Sequence, residues 1–386
     1  MLIIRNEKFI KGKDGKLYLV GSSSNDLYAN NVYQMGQIEI LGWEVEAKDG
    51  DYSKLTELDF TDKIKVHLYS EKLPIVKKIE VIKMHVKDAE CLSLKFCFID
   101  SFIACHYANK YNKKYVIESG TDAFKSTWYH GGSMIYKLIA IPYEMLTKYY
   151  HQKASYIIYV SKRFLQKKYK SSAKQIGCSD TVLLDVDEEI LKERICRIES
   201  NKRISLGLIG AAHVEYRGHD TLIEVASVLR EKGYDIEIRF LGGEKNKEKR
   251  MDLAKKLGVE KLVFFDGYKD KKGVFEWIDN IDILVMPTLQ ETLGRAVIEA
   301  MSRGCPVIGS IETALPEQIG SDCITYARNA DSIAEIAKHM IRDKDYMKYC
   351  ALENFYRAKK YNSTVTNEMR KEFYNQFYRE NNIIRK

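Results

Sequence analysis

Short apolar runs alternate with amphipathic helical stretches along this chain of 386 residues, and the alternation occurs twice. In the second half, five apolar runs each end at a glycine or a polar turn: RISLGLIG, IEIRFLGG, KLVFFDG, DILVMPT and CPVIGS. Amphipathic segments such as HDTLIEVASVLREKG separate these runs. Continuous apolar strands divided by helices are typical of parallel sheets that are buried on both faces. The second half is therefore predicted to form an open parallel α/β domain.

The first half shows the same alternation less regularly. Its predicted strands are KLYLVGS, WEVEA, KIKVHLY, CLSLKF, KYVIESG and SYIIYV, with helical connections that include a segment over about 26–40. The charged stretch KERICRIESNKR, near 195–203, is the natural place for a domain boundary. We therefore predict two Rossmann-like domains, over 1–198 and 199–386, whose parallel sheets face each other across a cleft. The final helix, about 364–386, is a candidate to pack back on the N-terminal domain.

Composition excludes several classes of protein. The hydrophobic fraction of 45% and the charged fraction of 30% are those of a folded globular chain. The eight cysteines form neither a C-x-x-C pair nor a Cys/His cluster with zinc spacing, so we expect reduced thiols in a cytoplasmic protein. The start of the chain lacks the apolar core of a signal peptide, and no uncharged apolar stretch reaches about 18 residues. No membrane span is therefore expected.

The net charge of +8 suits an acidic partner such as a nucleotide, a lipid phosphate or an anionic membrane face. Lysines that are simply solvated at the surface would give the same net charge, so the charge alone does not identify a partner. The stretch LIAIPYEMLTKYYHQKASYIIYVSKRFLQKKYK interleaves apolar and basic residues, a composition that can rest on anionic lipid. The alternative is a core helix with a solvated face. No nucleic-acid partner is expected.

The segment DILVMPTLQETLGRAVIEAMSRGCPVIGS carries the most chemistry. A strand leads to a loop that holds Glu291, and a helix is predicted to begin near Thr292 and to end before Gly304. The amides of Thr292, Leu293 and Gly294 would then lack intrahelical partners and could bind a diphosphate, with Gly294 permitting close approach. Glu299, two turns into the helix, could bind both hydroxyls of a ribose. Alternatively, Glu291 is a charge favouring the helix dipole, and Glu299 is a surface residue.

This segment resembles the glycosyltransferases of family 4, which are retaining enzymes with the GT-B fold of two Rossmann-like domains. The family signature is Glu, seven residues, Glu, followed by E-A-M-x-x-G-x-P-V-I. This chain has Glu291 and then EAMSRGCPVI from Glu299 to Ile308. The resemblance implies that Glu299 anchors the ribose of a nucleotide-diphosphate sugar and that Glu291 orients a hydroxyl of the transferred sugar.

The resemblance extends upstream through RISLGLIGAAHVEYRGHDTLIEVASVL, where Gly210 ends the strand. Family members place a Lys at the position of Arg217, in contact with the donor phosphates, and Arg can take that role by a bidentate grip. Many also have an Arg where this chain has Ala211. The motif FDGY implies that the backbone near Gly267 and Tyr268 approaches the nucleotide base. The alternative role for Arg217 is a solvent-exposed residue at a helix start.

The N-terminal half is similar to enzymes of bacterial capsule and surface-polysaccharide synthesis over YVIESGTDAFKSTWYHGG and ASYIIYVSKRFLQKKY. Many family 4 enzymes have a His at the end of this strand. Here that His is absent, and Asp122 is the best local substitute, although it could equally close the strand in an Asx turn. His130 is nearby in sequence, but a lone His is more often structural. The family also has two glycines where this chain has Thr313 and Ala314, a difference that bears on the choice of donor sugar.

The sequence thus predicts a retaining glycosyltransferase that moves a sugar from a nucleotide-diphosphate donor, UDP above all, to a growing glycan or lipid-linked acceptor. Glu291, Arg217 and Asp122 are the predicted catalytic residues. No metal and no cofactor besides the donor is required. The protein is expected in the cytoplasm or at the inner face of the membrane, with peripheral contact to anionic lipid. The alternatives are a non-catalytic nucleotide-sugar-binding partner and a nucleotide-sugar epimerase. A dehydrogenase is disfavoured because no G-x-G-x-x-G follows a strand.

Overall fold

The computed structural model describes residues 1–12, 16–20, 37–46, 56–57, 64–129, 134–183 and 186–384. The chain divides into two compact units. The first unit comprises 1–182 together with 363–386, and the second comprises 183–362. Each unit is built on a sheet of its own.

The first unit contains nine strands among its described residues. The strands are β1 (Leu2–Lys11), β2 (Leu17–Leu19), β3 (Ile38–Glu44), β4 (Thr56–Glu57), β5 (Ile64–Ser70), β6 (Cys91–Phe96), β7 (Lys114–Ser119), β8 (Tyr156–Tyr159) and β9 (Lys174–Gly177). The helices are α1 (Ile75–Asp88), α2 (Ile99–Lys110), α3 (Ala123–Trp128), α4 (Met134–Lys153), α5 (Phe164–Lys168) and α13 (Ser363–Glu380).

The parallel strands of this sheet follow the order β5-β3-β1-β6-β7-β8-β9. The short strands β2 and β4 extend the sheet in antiparallel pairing beyond the far end of β1. Parallel neighbours need crossover connections, and α1, α2 and α4 supply them between successive strands. The result is the doubly wound arrangement that the first half of the sequence predicts.

The two faces of this sheet are covered by different parts of the chain. One face packs on α1, α2 and α4 through Ile82, Phe102 and Tyr150. The other face packs on α13, whose Phe373 and Phe377 are buried against β1, β3 and β8. The last helix therefore completes the core of the first unit. Among the described residues, it is the helix that packs on this face of the sheet in that core cluster.

The start of the chain differs from expectation. Strand β1 was not predicted because Arg5, Glu7 and Lys8 interrupt its apolar pattern, yet it pairs with β2, β3 and β6. The helix predicted over 26–40 is wrong in its last three residues, because β3 begins at Ile38. Residues 21–36 lie outside the described residues.

The second unit contains a six-stranded, fully parallel sheet of order β12-β11-β10-β13-β14-β15. The strands are β10 (Ile204–Ile209), β11 (Ile236–Leu241), β12 (Val263–Phe265), β13 (Ile283–Met286), β14 (Val307–Ser310) and β15 (Ile324–Thr325). The helices are α6 (Glu188–Ser200), α7 (His219–Glu231), α8 (Lys247–Lys256), α9 (Lys271–Asn280), α10 (Arg295–Ser302), α11 (Ala330–Arg342) and α12 (Lys344–Ala358). The five strands predicted from the sequence are all present.

The division into units falls at 182/183 and again at 362/363, whereas the sequence placed one boundary at 198/199. The difference arises because α6, which contains most of the charged stretch that suggested the boundary, packs on α12 within the second unit. Arg194 of α6 donates hydrogen bonds to the carbonyl oxygens of Ile278 and Ile281, at 2.8 and 2.5 Å. Within the part of the chain that the structure describes, no helix is both long and apolar enough to cross a bilayer.

Candidate functional site

Strand order in the second unit reverses direction between β10 and β13, its two central strands. Chain connections leave these strands toward opposite edges of the sheet, so their carboxyl ends form the switch point at which such sheets have a crevice. Open α/β sheets bind ligands at this position. The loops that follow β10 and β13 are therefore the expected position of a ligand-binding site.

Close backbone contact joins these two loops. After β10 the chain makes a 3-10 turn over Glu215–Arg217, and Gly218 then opens α7 in the left-handed conformation, with φ of +85°. A Cβ atom at Gly218 would lie 2.3 Å from the carbonyl oxygen of Pro287, in the loop after β13. The Leu289 amide also donates to the Tyr216 carbonyl at 2.9 Å. Glycine at 218 thus allows the two loops to meet.

Arg217 and Glu291 form an ion pair across this junction. Nη1 of Arg217 donates to Oε2 of Glu291 at 2.7 Å, and the two side chains are 27% and 18% exposed. The sequence predicted both residues for the site from separate motifs 74 positions apart. Their contact brings a carboxylate and a guanidinium together at the crevice. A guanidinium carries N–H donors on three nitrogens, and this bond uses Nη1.

Glycine backbone lines the neighbouring part of the same sheet edge. The Gly242 amide donates to the Gly267 carbonyl at 2.9 Å, and the Ala212 amide donates to the Gly243 carbonyl at 2.8 Å. A Cβ atom at Gly242 would lie 2.5 Å from the carbonyl oxygen of Gly210. The loops after β10, β11 and β12 are therefore in direct backbone contact with one another.

Tyr268 extends from these loops into solvent. Its side chain is 83% exposed, and its ring lies beside Gly243, whose Cβ atom would be 3.1 Å from the ring. A large exposed aromatic ring next to bare backbone can stack on a planar group. The position suits the nucleotide-base role predicted for Gly267 and Tyr268, which stays a prediction.

The helix after Glu291 begins later than the sequence suggested. Gly294 is the N-cap of α10, with φ of +64°, and the first helical residue is Arg295. Thr292, Leu293 and Gly294 therefore precede the helix, and Leu293 and Gly294 are buried. The amides without intrahelical acceptors belong to the first turn, residues 295–297, because the first hydrogen bond back to Gly294 comes from Ile298. Phosphate binding by the amides of Thr292, Leu293 and Gly294 stays a prediction, and the first-turn amides of α10 follow them directly in the chain.

Glu299 lies on α10, whose Val297, Ile298 and Met301 are buried as predicted. Burial raises the pKa of the Glu299 carboxyl, while the positive charges of Arg295 and Lys271 act in the opposite direction. An exposed surface glutamate would not show this shift. Glu299 therefore occupies a partly desolvated, cation-flanked position. Lys271, at the start of α9, was not singled out from the sequence, because nothing in its local pattern marks it.

The loop 313–318 contacts both predicted donor-site segments. The Ala314 amide donates to the backbone carbonyl of Glu291 at 2.9 Å, and Nε2 of Gln318 donates to the carbonyl of Leu293. A Cβ atom at Gly294 would lie 2.7 Å from Oε1 of Gln318, an oxygen that has no hydrogen-bond partner among the described residues. This loop departs from the family pattern, and its contacts show that it positions Glu291. Gln318 was missed because no motif points to it.

His219 is a second residue that sequence reasoning did not select. It begins α7, is 1% exposed, and its Nε2 lies 3.2 Å from the carbonyl oxygen of Gly210. Burial lowers the pKa of His219 to about 4, so the ring is neutral near pH 7. A neutral ring that holds the Gly210 carbonyl fixes the loop that precedes Arg217. Its position directly after Gly218 is the sequence signal that could have identified it.

Asp122 belongs to the first unit and acts there as a helix cap. Its Oδ1 accepts from the Lys125 amide at 2.8 Å and pairs with Nζ of Lys168 at 2.5 Å, and the residue is 1% exposed. These are the contacts of a helix N-cap, whereas the alternative offered by the sequence was an Asx turn that closes the strand. A catalytic role for Asp122 stays a prediction. His130 lies outside the described residues. Among the described residues, no cluster of three or more His, Cys, Asp or Glu side chains could hold a metal ion.

Comparison with known proteins agrees with this arrangement. The family model described as glycosyl transferases group 1 matches residues 200–354, which include every strand and loop of the crevice. CapJ of Staphylococcus aureus is 31% identical over 281 residues, which is 72% of this chain and 70% of CapJ. The putative colanic acid biosynthesis glycosyltransferase WcaL of Escherichia coli is 27% identical over 124 residues, or 30% of each chain.

Among solved structures, Anabaena HepE in complex with UDP and glucose aligns with a TM-score of 0.68 and 13% identity. The alignment covers 97% of this chain and 98% of HepE, so the likeness in fold extends over both units taken together. The sequence prediction of a GT-B glycosyltransferase fold is confirmed. The similarity to CapJ and the matched family model show that this chain belongs to the group 1 glycosyltransferases.

Proposed function

We propose that the protein transfers a sugar, with retention of configuration, from a UDP-linked donor to a glycan or lipid-linked acceptor during synthesis of a bacterial surface polysaccharide. The observation that carries the proposal is the Arg217–Glu291 pair at the crevice between β10 and β13. The complexes of HepE with UDP and with UDP-glucose support a UDP donor. The name of WcaL and the similarity to a protein of a Klebsiella pneumoniae cps region support the polysaccharide role.

In the proposed donor complex, the diphosphate lies between Arg217 and the first-turn amides of α10. A guanidinium and helix-start amides are both suited to phosphate oxygens. Glu299 would bind the ribose hydroxyls, and the glycine backbone near Gly267 and Tyr268 would accommodate the base. Glu291 would orient a hydroxyl of the transferred sugar, held in place by its pairing with Arg217.

The transfer step proposed here needs no protein nucleophile. The acceptor hydroxyl attacks the anomeric carbon from the face that the diphosphate leaves, and the leaving phosphate oxygen takes the proton of that hydroxyl. The C–O bond to the diphosphate breaks as the new glycosidic bond forms, so charge develops on the leaving phosphate. Arg217 and the amides of 295–297 would stabilise that charge, and most of the catalysis would come from this stabilisation and from positioning.

Thermal unfolding in the presence of UDP, GDP, ADP and CMP, each with and without its common sugar conjugates, tests the donor site. A nucleotide at about 100 times its Kd should stabilise the fold by about 2.7 kcal/mol. We expect the shift with UDP, and we expect Glu299→Gln to remove most of it. Glu276→Gln, an exposed glutamate on the adjacent helix α9, is the matched control and should keep the full shift.

Kinetics of the purified enzyme separate the roles of the two residues. Glu299→Gln should mainly raise the donor KM, because it removes binding common to ground state and transition state. Arg217→Ala should lower kcat as well, because phosphate charge grows during the reaction, and Arg217→Lys should restore part of the loss. An unchanged KM in Glu299→Gln would contradict the site. UDP release without an acceptor would favour an epimerase over a transferase.

A further inference from the structure

Helix α4 of the first unit presents large apolar side chains to solvent along most of its length. Leu138, Ile141 and Met145 are 70%, 57% and 65% exposed. Five further residues of the helix are exposed to at least 36%: Met134, Ile135, Tyr136, Leu146 and Tyr149. Single exposed apolar residues are ordinary, but a continuous apolar face on a helix marks an interaction surface. We call these eight residues the α4 face.

The α4 face has no acidic neighbour on its own helix. The remaining exposed positions of α4 are Pro142, Lys148, Gln152 and Lys153. The one acid of the helix, Glu144, is buried: its carboxylate accepts from the Tyr169 hydroxyl at 2.9 Å and pairs with Nζ of Lys148 at 3.3 Å and with Nζ of Lys168 at 3.6 Å. The exposed side of α4 is therefore apolar and positively charged.

The net positive charge of the chain lies in the sequence segment that contains this helix. Within that segment, Lys168 pairs with Asp122 and Lys174 pairs with Glu380. Residues 123–179 contain ten lysines and arginines and one acid, which gives a formal charge of +9. The rest of the chain has 52 basic and 53 acidic residues and sums to −1. Exposed cations of this stretch continue past α4 onto α5 and its flanks: Lys162, Arg163, Lys167 and Lys170. The contact between Lys168 and Glu144 places α5 beside α4.

Aromatic residues lie where the apolar and basic side chains meet. Trp128, at the end of α3, is 36% exposed, and Nζ of Lys137 lies 5.5 Å from the centre of its ring. Nζ of Lys153 lies 5.9 Å from the ring of Tyr149. Trp and Tyr rings favour the boundary between hydrocarbon and water, and lysines can extend from that depth to lipid phosphates.

Two kinds of occupant fit this surface differently. A second copy of the chain would bring its own +9 segment against the first, and like charges in contact are unfavourable. An anionic bilayer satisfies both features, because its acyl boundary covers the apolar side chains while its phosphates neutralise the lysines. We infer that the α4 face lies in the surface of an anionic membrane. The inference rests on the proposed function, since a lipid-linked acceptor would be presented at that surface.

Vesicle co-sedimentation of the full chain tests the inference. We expect binding to vesicles of phosphatidylcholine mixed with phosphatidylglycerol and little binding to phosphatidylcholine alone. Leu138→Glu with Met145→Glu should weaken binding at least tenfold. Val76→Glu with Met84→Glu, on the exposed side of α1 where the native side chains are 65% and 54% exposed, is the matched control and should bind as the wild type does. Lys137→Ala with Lys153→Ala should lose about fivefold per lysine at low salt.

Insertion of the α4 face into the bilayer can be measured separately from vesicle binding. Brominated lipids should quench the fluorescence of Trp128, and Trp128→Phe should remove that quenching. Absence of vesicle binding, equal affinity for both lipid mixtures, or unchanged binding by the Leu138→Glu, Met145→Glu variant would each overturn the inference. Wild-type self-association abolished by that variant, without vesicle binding, would assign the face to a second copy instead. The UDP-dependent thermal shift, measured on the same samples, reports separately on the proposed function.

Discussion

The carboxyl edges of the two sheets are built in opposite ways. In the first unit, buried charged side chains fill this edge: Nη2 of Arg5 donates to both carboxylate oxygens of Glu118, at 2.6 and 2.7 Å. The Tyr374 hydroxyl and the Ser93 hydroxyl also donate to that carboxylate, and Arg370 lies 3.7 Å from it. In the second unit the corresponding edge contains closely packed glycine backbone and the solvent-accessible pair of Arg217 and Glu291.

The edge in the first unit stabilises the fold, whereas the edge in the second unit has the features of a binding site. Burial would raise the pKa of Glu118, but Arg5 and Arg370 outweigh it and hold that pKa at about 2. Such a cluster is held together by its own buried ion pairs and cannot release a charge to a ligand without loss of stability. At the crevice of the second unit, backbone approaches backbone without side chains between, and Arg217 and Glu291 remain accessible to solvent. The same sheet edge thus carries a buried ion cluster in one unit and, in the other, the accessible residues that we propose bind the donor.

Removal of Glu118 should give the largest effect. Glu118→Ala leaves two buried guanidinium groups without their shared carboxylate, and breaking a buried pair in this way costs about 3–5 kcal/mol. Urea unfolding followed through Trp43 fluorescence should report the loss in the first unit. If the edges have separate functions, the protein that remains folded should bind UDP with unchanged Kd.

The control for this variant is Glu368→Gln, which removes an exposed pair with Lys371 on α13 and should leave the unfolding midpoint unchanged. A weakened UDP affinity in Glu118→Ala at full folding would break the comparison, because the first-unit cluster would then contribute to donor binding.

Substitution of Gly218 should damage the binding edge. Gly218→Ala imposes a left-handed backbone on alanine, at about 1–2 kcal/mol, and places its methyl group against the Pro287 carbonyl, which adds about 1–3 kcal/mol. We expect a lower melting temperature and, since the loop carries Arg217, weaker UDP binding in the thermal-shift assay.

Gly233→Ala is a matched control, because Gly233 has the same left-handed backbone, with φ of +82°, but no atom within 4 Å of the added methyl group. It should show the backbone cost alone and bind UDP normally. Equal losses of UDP affinity in the two variants would contradict the assigned role of the Gly218–Pro287 contact.

A buried neutral histidine in each unit predicts a smaller, shared effect. Burial lowers the pKa of His151 and of His219 from 6.5 to about 4. The unfolded chain therefore binds more protons than the native state between these values, so stability is complete above pH 6.5 and falls toward pH 4. By about pH 5.5 each histidine should cost about 1 kcal/mol of unfolding free energy.

Denaturant titrations at several pH values, followed through Trp43 for the first unit and Trp277 for the second, would measure this loss. His219→Gln should flatten the pH dependence of the second unit alone, and the exposed His106→Gln should change neither. A pH dependence of the second unit that survives His219→Gln would show that another group is responsible.

The second unit was the more predictable from sequence for a physical reason. Its strands are buried on both faces, so each is a continuous apolar run that ends at a glycine or polar turn. The residues of its crevice follow those turns within a few positions, which is why Gly210, Arg217 and Glu291 could be selected together. The contact between Arg217 and Glu291 was still not predictable, because it depends on how two distant loops meet.

The central strand of the first unit, β1, could not be predicted from its local sequence pattern. The local pattern around Arg5 in β1 is that of a surface residue, yet Arg5 is buried and pairs with Glu118, 113 positions away. Local pattern carries no information about such a partner. The predicted start of α10 was too early for a related reason. Thr292 and Leu293 are residue types that a helix accepts, but Gly294 has a left-handed backbone conformation, so the helix begins only at Arg295.

The return of α13 to the first unit has a consequence for biosynthesis. Residues 363–386 complete the core of a unit whose other residues end at 182, and the whole second unit is encoded between them. A ribosome working from the N-terminus therefore finishes the second unit before the first can close its exposed sheet face. Until then that face, with the apolar side chains that Phe373 and Phe377 will cover, is open to chaperones and to aggregation during every round of translation.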